Sequence, residues 1–188
     1  MGYTTEFKGT LSFDKPLTSE QVQYIQAFNS TRRMKRDANI SAELPDPLRL
    51  AVGLPIGEDG AYFVGSHSDG NMGQNNDKSV LDHNESPGNM TRDEESNFDK
   101  RWNENKRRAA TGLSQPGLWC GWTVSDDGTK LEWDGGEKFY YYTEWLKYLI
   151  DNFFAKWGAN LNGTIKWRGE DFDDTGSIIV TDNKVTTA

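Results

Sequence analysis

Residues 118–157 read LWCGWTVSDDGTKLEWDGGEKFYYYTEWLKYLIDNFFAKW. The opening residues alternate, so Leu118, Cys120, Trp122 and Val124 share one side of an extended strand. Asp127-Gly128 is a hairpin signal, because glycine takes the positive φ that tight turns need. The chain returns as a strand over 130–133, with Leu131 and Trp133 facing inward. Beyond it Phe139, Tyr142, Trp145, Leu146, Leu149, Ile150, Phe153, Phe154 and Trp157 recur at steps of three and one. That spacing lays a broad apolar stripe along one side of a helix. The expected helix covers 137–157, with Asp134 as its cap and Gly158 as its stop.

Working outward, strands are expected at 164–168 and 177–181, joined by an acidic turn over 170–176. Toward the N-terminus a strand over 5–13 carries Phe7, Leu11 and Phe13, and Pro16 ends it. Thr18 followed by Gln21 is a capping box, and Val22, Ile25 and Phe28 then recur at helical spacing. That helix runs into Arg32, Arg33, Lys35 and Arg36, expected as solvated cations at the negative end of its dipole. Residues 48–54 and 61–64 read as a hairpin turning at Asp59-Gly60. The expected order is β-α-β-β-loop-β-β-α-β-β. It implies one α+β domain over 1–188: an antiparallel sheet with two helices packed on one face, ferredoxin-like or related.

Residues 66–114 differ in kind. They are rich in Asn, Asp, Ser and Gly, and periodicity returns only near Asn97. A short helix is expected over 96–110, holding Trp102 and the basic run Lys100, Arg101, Lys106, Arg107 and Arg108. A polar excursion this long inside a small domain is functional or partly disordered.

Composition limits the function classes. The 188 residues carry a net charge of −8, which opposes direct binding to nucleic acid phosphates. One cysteine, Cys120, excludes an intrachain disulfide and suits a reducing compartment. No signal pattern or membrane-length apolar run occurs, so the expected location is cytoplasmic. Aromatic residues make up 12%, including seven Trp, more than one facing pair of surfaces needs.

Three stretches carry a resemblance. They are Gln115-Pro116-Gly117-Leu118-Trp119-Cys120-Gly121-Trp122, then Leu131-Glu132-Trp133-Asp134-Gly135-Gly136-Glu137-Lys138-Phe139-Tyr140, then Glu144-Trp145-Leu146-Lys147-Tyr148-Leu149-Ile150. With Lys166-Trp167-Arg168-Gly169-Glu170-Asp171 and Val180-Thr181-Asp182-Asn183-Lys184-Val185, they resemble a family of small proteins of bacteriophages and mobile regions of bacterial genomes. The resemblance covers roughly 116–185. It implies a setting, the cytosol of a bacterial host, where such accessory proteins block host machinery or counter host defence. It transfers no site residues. Residues 89–114 look inserted relative to that family, and the insert holds the basic run.

The candidate chemistry is that of binding. Gly135-Gly136 beside Lys138 could present backbone amides to an anion, although the nucleotide-loop spacing is absent. Trp119, on the opposite strand side from Trp122, could stack a ring or a partner side chain if helices leave that sheet face uncovered, and Tyr140 and Tyr141 lie on the less apolar side of the expected long helix. Arg32 and Arg36 could add positive charge. No catalytic residue, metal site or cofactor is expected. Cys120 faces inward, and His67 and His83 lack partners at ligand spacing. The sequence reads as a non-enzymatic binding protein that blocks a host protein or sequesters a small anionic, nucleotide-like ligand; a homo-oligomer is compatible with it. Two alternatives stand beside it: a metal-dependent enzyme on nucleotides or nucleic acid using Glu132, Asp134, Glu137 and Asp171, and a virion component.

Overall fold

The computed structural model of the chain describes residues 2–65, 74–75, 77–94 and 96–188. The class is α+β, and the main sheet is antiparallel with the strand order β5-β6-β2-β7-β8-β9. These are β2 (Leu11–Phe13), β5 (Trp122–Val124), β6 (Lys130–Trp133), β7 (Leu161–Arg168), β8 (Thr175–Thr181) and β9 (Lys184–Thr187). Strand β1 (Glu6–Lys8) pairs with the far end of β7, Phe7 opposite Trp167.

The first expected strand is therefore two. Gly9 takes φ +101° between them, and a Cβ there would meet the Thr164 carbonyl oxygen at 2.8 Å, so the break requires glycine. Alternation along the strands places Phe7, Leu11, Trp122, Val124, Leu131, Ile165 and Ile178 in the core. Helix α1 (Ser19–Ser30) covers them with Val22, Ile25 and Phe28, and its capping box from Thr18 to Gln21 forms in full. Helix α5 (Tyr142–Leu149) adds Trp145, Leu146 and Leu149. Phe153 meets the rings of Tyr24, Phe28, Tyr62 and Tyr148 edge-on. Buried rings of this size each contribute about 3 kcal/mol.

Several expectations change. The helix expected from 137 begins at Tyr142, because Asp134 caps no helix; it accepts the Gly136 amide in a local turn instead. Phe139 then folds inward beside Phe7 and Trp122. The helix widens into a π turn over Ile150–Phe154, with the Ala155 amide on the Ile150 carbonyl. Phe153 and Phe154 are both buried within this turn.

Residues 48–54 are no strand. Pro47 opens the short helix α3 (Pro47–Ala51), where its missing N–H costs nothing. The 61–64 stretch is irregular, so the expected hairpin is absent. The hairpin β8–β9 was unforeseen; Asp182 and Asn183 turn it with positive φ.

The basic cluster after α1 turns inward rather than to solvent. Arg33 is buried, and its guanidinium donates to the carbonyls of Phe63 and Ala61 at 2.8 and 2.6 Å. It also stacks 4.1 Å over Phe28, and burial pushes its pKa down to about 10. Lys35 and Arg36 form β3 (Lys35–Arg36), which pairs with β4 (Val80–Asp82) beside helix α2 (Ala38–Glu43).

Candidate ligand cleft

Helix α4 (Phe98–Ala110) lies within the polar excursion, and Asn97 caps it by accepting the Lys100 amide. It is strongly polar, yet Phe98 and Trp102 stand four residues apart on one side. Their rings stack at 6.3 Å and 16°. They are 62% and 52% exposed, an unusual state for two adjacent large aromatics. Arg101 between them is only 9% exposed, its guanidinium 5.6 Å over the Phe98 ring.

Charged and polar ties hold α4 and the 85–94 segment to the body. Lys35 Nζ donates to the Asn89 carbonyl and to Glu94, and reaches Asp59 at 3.7 Å. The Lys35 amide donates to the Glu85 carbonyl at 2.7 Å, fixing the residue that follows the β3–β4 ladder. Arg108 donates to the Gly88 carbonyl, and Asn105 accepts the Met90 amide. Gln115 is buried between the Ala61 carbonyl and the Tyr148 hydroxyl, which sets Pro116 at the cleft wall.

The result is a cleft of about 290 Å³ lined by Glu85, Asn89, Phe98, Arg101, Trp102, Asn105, Lys106, Ala109, Pro116 and Tyr141. Arg101 Nη1 is buried and has no hydrogen-bond partner among the described residues, Glu85 included. Burial pushes the Glu85 carboxyl above its ordinary range, and Arg101 partly opposes the shift. Tyr141 stands in the left-handed region at φ 57°, just before α5. Beside it, under Gly117, the indole N–H of buried Trp145 is also without a partner among the described residues. The cleft thus offers ring faces, one unsatisfied buried cation and one desolvated carboxylate. With Arg101 and Lys106 against the single carboxylate of Glu85, it can take a flat molecule that carries an anionic group for the cations and a hydrogen-bond donor for the carboxylate.

The residues expected from sequence are dispersed. Tyr141 alone lines this cleft. Trp119, Gly136 and Lys138 border a second hollow of about 230 Å³ with Asp134 and Glu137, whose carboxylates repel an anion. The Gly136 amide is already donated to Asp134 at 2.8 Å, and Gly135 is exposed, with open space where a Cβ would stand. The Tyr140 hydroxyl accepts the Tyr3 amide at 3.0 Å. Arg32 donates to the His83 carbonyl. Arg36 is 1% exposed, paired with Asp77 at 3.1 Å and stacked over Phe63, so it has no surface to offer a ligand.

Cys120 is buried, and burial pushes its thiol to about 12, far from a nucleophile's range. His67 lies outside the described residues. Among the described residues no cluster of three or more His, Cys, Asp or Glu is arranged to hold a metal ion, Glu132, Asp134, Glu137 and Asp171 included. No helix among them is long and apolar enough to cross a membrane. The sequence reading names Arg101 only as part of the basic run over 100–108, and it misses Phe98 and Glu85. The available signal was an aromatic pair at helical spacing on an otherwise polar helix.

Comparison of the chain with protein-family models, with curated proteins and with solved structures finds no match.

Proposed function

We propose that this chain is a non-enzymatic accessory binding protein that sequesters a small, ring-bearing anion of nucleotide type in the α4 cleft. Arg101 is the observation that carries the reading. A buried guanidinium with an unpaired N–H is a cost of about 1–3 kcal/mol that the fold sustains until an acceptor arrives. A phosphate supplies that acceptor, and Lys106 at the rim adds a second charge. Phe98 and Trp102 supply the ring faces, each good stack contributing about 1–3 kcal/mol. The cleft volume is at the lower end for ligand sites, which suits a mononucleotide-sized molecule.

The resemblance of 116–185 to phage and mobile-element proteins supports a setting in a bacterial host cytosol. There, withdrawing a signalling nucleotide would blunt a defence that depends on it. Native mass spectrometry of protein drawn gently from its host tests this reading. An added mass of a few hundred daltons that is lost in Arg101→Met is the expected result. An added mass of many kilodaltons would instead identify a blocked host protein, and a bare protein that also refuses nucleotides would contradict the proposal.

A further inference from the structure

Resting on the ligand reading above, we infer that the ring held in the cleft is of guanine type, with Glu85 receiving its N1–H and 2-amino group while Arg101 holds the phosphate. The polar side chains of the cleft divide into spent and unspent groups. Asn105 is spent on Met90, accepting its amide at 2.9 Å and donating to its carbonyl. Asn89 is spent on the Ser114 hydroxyl and the Gln115 carbonyl. Arg101 Nη1 is unspent and buried. Glu85 lines the same cleft, partly buried, on a backbone that the Lys35 amide fixes.

An ionised carboxylate only accepts hydrogen bonds, and it has two oxygens side by side. Among the common bases, guanine alone presents two adjacent donors, N1–H and the 2-amino group, to match them. Adenine places the unprotonated N1 beside its 6-amino group, so one carboxylate oxygen would face a lone pair. Cytosine has the same fault at N3. Hypoxanthine keeps N1–H and loses the 2-amino donor. Uracil has one N–H between two carbonyls. Burial sharpens the choice, because a desolvated acceptor left unmatched is costly while a matched one is strong. The aromatic faces of Phe98 and Trp102 accept any base, so selection falls to Glu85.

Calorimetric titration of the full chain with GMP, IMP and AMP at one salt concentration tests the inference. GMP should bind most tightly, with AMP weaker by about tenfold to a hundredfold and IMP between them. Glu85→Gln should remove most of the GMP advantage and leave AMP unharmed, since its amide can donate to adenine N1. The wild-type series stands alone if that variant folds poorly. Equal affinity for GMP and AMP would overturn the guanine assignment and leave the cleft a general nucleotide site. Failure of all three to bind would overturn the cleft reading itself, and the guanine assignment with it.

Discussion

Two regions of this molecule are held together by different physics. The sheet with α1 and α5 is a dry aromatic core, where Phe153 alone meets four other rings edge-on. The 77–94 segment and α4 bury little apolar surface. They rest on cations that reach carbonyls and carboxylates: Lys35 to Asn89 and Glu94, Arg36 to Asp77, Arg108 to Gly88. A core of the first kind gains stability from every ring it buries. A scaffold of the second kind gains little net energy, but it places polar atoms with precision. The unpartnered Nη1 of Arg101 and the partly buried Glu85 belong to the second region and line its cleft.

If that division is right, Phe153→Ala should be the most damaging of the changes considered. A loss of about 3–5 kcal/mol is expected in chemical denaturation, from the cavity and the forfeited ring contacts. Arg33→Met comes next, with a loss of about 3 kcal/mol, because the Phe63 carbonyl loses its guanidinium donor and the Ala61 carbonyl keeps only Gln115. A loss below 1 kcal/mol would place Arg33 among dispensable surface cations.

Alkali should probe the same core from another side. The folded state raises the Cys120 thiol to about 12, so below the unfolded value near 8.5 both states are protonated and nothing changes. Above it the unfolded chain ionises first, and stability falls by about 1.4 kcal/mol per pH unit. Cys120→Ala should flatten that slope between about pH 8.5 and 10, before the tyrosines contribute. An unchanged slope would show that the thiol reaches solvent.

Excision comes lower in the order. Asn89 and Ser114 already share a hydrogen bond at 3.0 Å, so their backbones can be joined by a short glycine linker in place of 90–113. The shortened chain should melt cooperatively, with a loss of about 1–2 kcal/mol from the severed Lys35 and Arg108 ties, and should bind no nucleotide. Global unfolding would show that the excursion belongs to the core.

The contrast also explains what could be read from the sequence. The core was legible because its signals are local: the Thr18 capping box, the Asp127-Gly128 turn and the stripe from Tyr142 to Trp157. Misreadings arose where a local rule met a tertiary demand. Asp134 has the chemistry of a cap, but Phe139 must first turn inward, and the helix restarts after the left-handed Tyr141. Leu48, Leu50 and Leu54 alternate like a strand, but Pro47 starts a helix, with Arg49 folded back on Asp46. Pro47 was a visible signal, and so was Asp182-Asn183 for the final hairpin. Arg33 and Arg36 gave none, because a buried arginine and a solvated one look alike until their carbonyl partners arrive from 61–63 and the acid from 77. The cleft was half legible: Phe98 and Trp102 share a side of α4, while Glu85, Pro116 and Tyr141 reach it only through the fold.

The smallest expected effect on stability belongs to the change with the largest expected effect on binding. Arg101→Met keeps the length and apolar stem of the side chain and removes a buried guanidinium whose Nη1 has no hydrogen-bond partner among the described residues. The decisive measurement is therefore a paired one on this variant: unfolding free energy and GMP affinity beside the wild-type chain. The account predicts a stability change within about 0.5 kcal/mol, or a slight gain, and an affinity at least about tenfold weaker. A large loss of stability with affinity preserved would contradict it, because Arg101 would then be holding the fold together rather than waiting for a ligand.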